Sequence, residues 1–371
     1  MTSRVLGFLT GLIAALCLAA AQGWWNTRNT EVVLLSDVHG AIQEVCVHYT
    51  PAFHSESVET LDDFFSELGT GTMVRVVVET RSDFDFLIED LRRKGFSPPG
   101  NLSPVVTGMP ITPWAKDRFG SMFSPRGPVL AVPPLRSMRE GPRANDEKVP
   151  RILAAHLPGV EFRSLPFFFD GGDLLADEDN IFVAANFIAR NQPSNASDRS
   201  RLLSLIESEF KKTPIVIGNR ISEIPDHHIG MFLTPLGNNA VAVGDPDLGL
   251  RLWENTPDTA AEVNISHNEE RLVRFRNVAR ILEEKGFRVI RIPLLLTKQP
   301  QVYVSYNNAI VEYARGTKRI FMPTYGIPSL DKFASDSFES EGWRVIPVRV
   351  DKVYRHTGSL RCLVGILKRG R

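Results

Sequence analysis

Four short blocks of this 371-residue chain gather side chains able to do chemistry. In HTGSLRCLVGIL, Cys362 follows Gly358 and Ser359 and precedes an apolar run, a setting that presents a thiol nucleophile at the start of a strand. In PDHHIGMFLTPL, His227 and His228 open a strand, and one of them can supply the general acid and base that a cysteine nucleophile needs. DGGDLLADEDNIFV sets Asp170 and Asp173 around two glycines, which let the backbone pass close to a ligand while the carboxylates face it. WAKDRFGSMF places Asp117 between Trp114 and Phe119, an acidic turn flanked by rings and suited to a planar cation. Each block also has a plain structural explanation: a buried small thiol, a surface histidine pair, a turn that opens a hairpin. No further His or Cys stands near the histidines at metal-ligand spacing, so no metal is expected.

The elements between these blocks must bring them together. EVCVHY reads as a strand, DDFFSEL as a helix and VRVVV as the next strand. FDFLIEDLRRKGF, SRLLSLIESEFKK and RLVRFRNVARILEEKGF carry apolar residues at helical spacing, and the last two run into the strands PIVIG and RVIRIP. GSMFSPRGPVLAV, DLLADEDNIFVAA, GMFLTPLGNNAVAV and VYVSYNNAIVEYARGTKRIFMP read as strand, turn, strand. The recurring unit is hairpin, helix, strand, with the chemical blocks just before or inside the hairpins. A repeat of that kind gathers equivalent positions around an axis.

Composition bounds the function. The 43 basic and 43 acidic residues cancel, and no stretch concentrates Lys and Arg on one face, which argues against nucleic acid as a partner. No Gly/Ser tract or charge block divides the chain, so residues 31–371 are expected to form a single domain. Arg4 precedes an apolar run from Val5 to Ala21, with Ala19 and Ala21 ahead of Gln22. Residues 1–21 therefore read as a signal peptide, with an uncleaved membrane anchor as the alternative, and 22–30 as a spacer; the expected location is periplasmic or secreted. Cys46 alternates with apolar neighbours and reads as a core residue, and Cys17 falls in the apolar leader.

In order and content, the blocks WAKD, FDGGD, HHIGM, VSYNNAIVE and GSLRC resemble the pentein superfamily of guanidino-group-modifying enzymes: arginine, agmatine and peptidylarginine deiminases, dimethylarginine hydrolases and amidinotransferases. The resemblance covers about residues 31–371 and implies an α/β fan of five ββαβ units around a pseudo-fivefold axis. It also implies Cys362 as nucleophile, His228 as proton shuttle, Asp170 as the acid that orients the histidine or holds the guanidinium, and Asp117 as a guanidinium-binding aspartate. Trp114, Asp173 and Asn308 are the further candidates for contact with substrate. A guanidinium presents paired N–H donors in a plane, so carboxylates can hold it while a thiolate attacks its central carbon from one face. The thiol would need its pKa lowered toward neutrality by an imidazolium or by the bound cation, and no metal or organic cofactor is required.

Two positions depart from the pattern. Many deiminases carry His-X-Asp, and here Gly230 stands where that carboxylate would be, with Asp226 or Asp173 as candidates to compensate. Lys116 stands where several relatives carry Arg, a change that keeps the charge and loses the planar fork. The reading is an exported guanidine hydrolase acting on a small guanidino compound or an arginine-containing peptide. Its alternatives are an amidinotransferase using the same covalent intermediate and a non-catalytic pentein binding module. VVLLSDVHG is similar to the opening of metallophosphatases, but their later blocks are missing, which leaves Ser36 to Gly40 as a loop before the first core strand.

Overall fold

The structure, a computed structural model, describes residues 31–95, 101–134, 141–191, 196–254, 263–298 and 302–370. The leader and spacer, with Cys17, lie outside the described residues.

Each hairpin closes as an antiparallel pair, and the helical segment after it returns the chain to lay a third strand parallel to the second. Gly120–Ser124 pairs with Gly127–Val132, which takes Glu161–Ser164 as its parallel neighbour after the helix Val149–His156. Leu175–Ala176, Asn180–Ala184 and Thr213–Ile217 repeat the plan. So do Leu233–Gly237, Ala240–Asp245 and Arg288–Leu296, and then Ile310–Ala314, Thr317–Thr324 and Arg344–Arg349. The fifth sheet joins the two ends of the domain: Val364–Arg369 pairs antiparallel with Ile42–His48, and Met73–Val78 and Leu102–Val106 follow in parallel. These five sheets are the α/β fan of ββαβ units that the resemblance implies.

Local sequence explains the pieces. Met73–Val78 lies between two parallel neighbours, and its Val74, Val76, Val77 and Val78 are fully buried, as a near-continuous β-branched run requires. The helix Arg81–Arg93 opens with a reciprocal capping box between Thr80 and Asp83 and buries Phe84, Leu87 and Leu91 along one stripe. No helix among the described residues is long and apolar enough to cross a membrane.

Three local expectations are corrected. VYVSYNNAIVEYARGTKRIFMP is not one hairpin: Tyr303–Ser305 pairs back onto Arg288–Leu296, and the hairpin begins only at Ile310. Tyr306 to Ala309 crosses from one sheet to the next while staying buried, so hydrophobicity marks no boundary there. Cys362 lies in a one-turn helix, Leu360–Leu363, ahead of the strand Val364–Arg369, and His228 caps a 3₁₀ turn, Ile229–Met231, ahead of Leu233–Gly237.

Charged groups are buried where neighbouring sheets meet. Arg369, 6% exposed, donates to the carbonyl of Gly40 at 3.0 Å and to those of Asp37 and Val311 at 2.8 Å each. Arg361 donates to Asp37 Oδ1 at 2.8 Å and to the Leu174 carbonyl at 3.0 Å. The Lys116 side chain is buried beside them rather than presented on its turn, and burial together with the Arg361 charge pushes its ammonium down to about 8.

Candidate active site

The segments just before the first hairpin strand of each sheet converge on one place. Asp117 comes from the 3₁₀ turn Ala115–Arg118 ahead of Gly120–Ser124, and Asp170 caps the turn Gly171–Asp173 ahead of Leu175–Ala176. His228, Asn308 and Cys362 stand at the corresponding points before Leu233–Gly237, Ile310–Ala314 and Val364–Arg369. Five segments spread over 246 residues, from Asp117 to Cys362, thus contribute one group each.

Glycine makes the convergence possible. A Cβ on Gly171 would stand 2.1 Å from the Lys116 carbonyl oxygen and 2.3 Å from that of Phe119, so only glycine lets these two turns touch backbone to backbone. A Cβ on Gly172 would stand 2.5 Å from Nδ1 of His228. The two glycines therefore make room for neighbouring parts of the site, not for a ligand as the sequence reading expected.

A cavity of about 180 Å³ is lined by Trp114, Asp117, Arg143, His228, Gly358 and Cys362, with Asp226 and His227 also on its wall. His228 lies between two carboxylates, Nδ1 3.7 Å from Asp117 Oδ1 and Nε2 3.5 Å from Asp170 Oδ2. Burial disfavours its charge, but the hydrogen bond with Asp170 and the charges of Asp117 and Asp173 outweigh burial and hold the imidazole up at about 9. Cys362 behaves oppositely. Burial, then the Asp117 charge, push its thiol up to about 11 against weaker lowering by a backbone hydrogen bond from Ser359, by Arg361 and by Asn308. These shifts set an imidazolium beside a neutral thiol at neutral pH, so the chain's own groups do not bring the thiol down toward neutrality as expected.

Trp114 lies on the cavity wall, its ring packed so closely on Gly358 that a Cβ there would be 2.3 Å from the ring. Asn308 is 2% exposed and positions the thiol turn: its amide donates to the Gly230 carbonyl at 3.0 Å, and its Oδ1 accepts from the Cys362 backbone at 3.3 Å and from Sγ at 3.5 Å. Asp173, 2% exposed, lies behind the cavity wall, accepting from the Asp170 amide at 2.8 Å and pairing with Arg190. Asn308 and Asp173, expected to touch substrate, stand behind the residues that line the cavity, with hydrogen bonds that shape the turns carrying Cys362 and Asp170.

The space that an aspartate at position 230 would use is filled, because a Cβ on Gly230 would stand 2.9 Å from Nη1 of Arg361. Of the two candidates to compensate, Asp173 is paired with Arg190 and Asp226 with Arg274, the latter at 2.5 Å. Asp170, Asp173 and His228 bring donor atoms within 4.8 Å of one another, a spacing a cation could use. Guanidinium groups already meet that charge: Arg118 is 3.3 Å from Asp170, and Arg190 reaches Asp170 at 3.8 Å and Asp173 more closely. Cys46 is a free, fully buried thiol in the core, as its alternating pattern predicts.

Sequence reasoning does not find the arginines. Arg118 follows Asp117 directly and is 5% exposed, Arg190 reaches in from the helix Ala185–Asn191, and Arg143 donates to Asp117 Oδ2 at 2.6 Å. Only Arg118 carries a local signal, its adjacency to Asp117.

No protein-family model matches the chain, and no curated protein matches it with significance. Solved structures do. An agmatine deiminase of C. jejuni superposes with a TM-score of 0.68 at 14% identity, over 92% of this chain and 98% of that one. An agmatine deiminase of Enterococcus faecalis superposes with a TM-score of 0.65 at 12% identity, over 91% of this chain and 96% of that one. The chain thus shares the fold of these deiminases over nearly the whole length of both chains.

Proposed function

We propose that the protein is a guanidino-group hydrolase that uses Cys362 as a covalent nucleophile. The observation that carries this reading is the meeting of Cys362, His228, Asp117 and Asp170 in one place from four distant blocks. The fold likeness to agmatine deiminases supports it, as does the existence of a cysteine-to-serine variant of the C. jejuni enzyme with substrate bound.

A guanidinium held by Asp117 brings positive charge to the thiol and offsets the carboxylate that raises the pKa of Cys362, so the thiol gives its proton to solvent water while His228 stays protonated. Sγ then attacks the central carbon, and the His228 imidazolium donates a proton to the departing ammonia or amine. Neutral His228 next takes a proton from the water that attacks the thiouronium carbon. Expulsion of the thiolate leaves a ureido product. The raised imidazole suits this order, because His228 begins charged and serves first as acid.

The test is incubation of the purified protein with a panel of guanidines and an arginine-containing peptide. Ureido product with stoichiometric ammonia supports deimination, and ureido product with an alkylamine supports dialkylarginine hydrolysis. An amidino group delivered to an added amine would replace hydrolysis with transfer. Export through residues 1–21 belongs to the same reading, and a mature chain beginning at Gln22 is its expected mass.

A further inference from the structure

The candidate site already contains a guanidinium of its own chain. Arg143 Nη2 donates to Asp117 Oδ2 at 2.6 Å, the carboxylate to which the resemblance gives the substrate's guanidinium, and Arg143 lines the same cavity as Cys362 and His228. Its Nη1 is buried with no hydrogen-bond partner among the described residues. That is the geometry of a fork held by one tine, and position 230, a glycine, adds no carboxylate to hold the other.

Charge balance shows what this means for a ligand. Asp117, Asp170 and Asp173 supply three negative charges, and Arg118, Arg190, Arg143 and the His228 imidazolium supply four positive ones. A further cation entering this cluster meets one excess positive charge, and ionising Cys362 only brings the cluster to neutrality, so the cation gains most where one of the resident cations leaves. Among the arginines, Arg118 is 4% exposed in its side chain and touches two carboxylates, and Arg190 also touches two. Arg143 is 35% exposed and held by one ion pair, so it is the cation that can leave at least cost.

We propose that Arg143 occupies the guanidinium seat of the empty site and that a ligand binds by exchanging its own guanidinium for that of Arg143 on Asp117. This rests on the proposed guanidine-hydrolase reading and deepens it, because it makes Arg143 a residue that sets affinity. A compact ammonium cannot reproduce the planar fork it displaces, so the exchange favours guanidines over amines of the same length. Affinity is reduced by the fraction of molecules in which the seat is free, so a seat filled nine times in ten lowers it about tenfold.

The experiment is calorimetric titration of guanidinium chloride and of an arginine-like guanidine into Cys362→Ala, alone and combined with Arg143→Ala or Arg143→Gln. Parallel KM measurements use the wild type and the two single Arg143 variants. The expected result is a Kd lower by about tenfold or more in both combined variants, with a matching fall in KM. Equal or weaker binding by well-folded Arg143 variants, while the wild type still turns guanidines over, overturns the exchange and leaves the hydrolase reading standing. Failure of every form to bind or turn over any guanidine overturns both.

Discussion

Two buried arginines at similar depth behave differently, and the contrast separates scaffold from site. Arg369, 6% exposed, spends its donors on backbone carbonyls of Asp37, Gly40 and Val311, so it ties the closing strand to loops from other sheets. Arg118, 5% exposed, stands 3.3 Å from Asp170 and 3.6 Å from Asp117, and its Nε and Nη2 have no hydrogen-bond partner among the described residues. Unmet hydrogen-bonding capacity in a buried group is costly, and the fold tolerates it in Arg118, beside Asp117 and Asp170, but not in Arg369.

Replacing Cys362 by Ala gives the largest effect on the site side: turnover is abolished while stability changes by about 1 kcal/mol or less, read by product assay and denaturant melts. On the scaffold side, Arg369→Met removes a buried cation whose partners cannot follow it. The expected loss is about 3–5 kcal/mol in urea unfolding, and a loss under about 1 kcal/mol would break the comparison. Gly172→Ala forces His228 from its place between the carboxylates. It should lower kcat/KM about a hundredfold with little change in melting temperature.

Arg118→Met should cost less stability than Arg369→Met, about 1–2 kcal/mol, because fewer bonds are lost. The smallest effect is a pH slope. The His228 pKa is raised from 6.5 to about 9, so its stabilising contribution is complete below pH 6.5 and fades as pH rises to about 9. Chemical denaturation across that window should show the slope, and His228→Gln should flatten it.

Much of the fold is legible in the sequence because its signals are local. Apolar period, the capping box at Thr80 and the turns at Asn238 and Asn239 mark hairpin, helix and strand within a few residues. The division at Tyr306 to Ala309 is not legible, since the crossing segment is as buried as the strands it joins. Cys362, His228, Asp117 and Asp170 are found through block order, and the structure brings them together. The paired cations have no such signal: Arg143 is 26 residues from its partner Asp117, and Arg361 is 324 from Asp37. Their pairing is set by how the sheets meet, as is the helical turn at Cys362, which Asn308 holds from another sheet.

The most direct test of covalent guanidine hydrolysis is intact-protein and peptide mass spectrometry after acid quench during turnover of a guanidine substrate. The account predicts an adduct on the peptide containing Cys362, equal in mass to the substrate less ammonia or amine, absent from Cys362→Ala and accumulating in His228→Ala if its second step is the slower. Turnover that persists in Cys362→Ala, or an adduct on another residue, would contradict it.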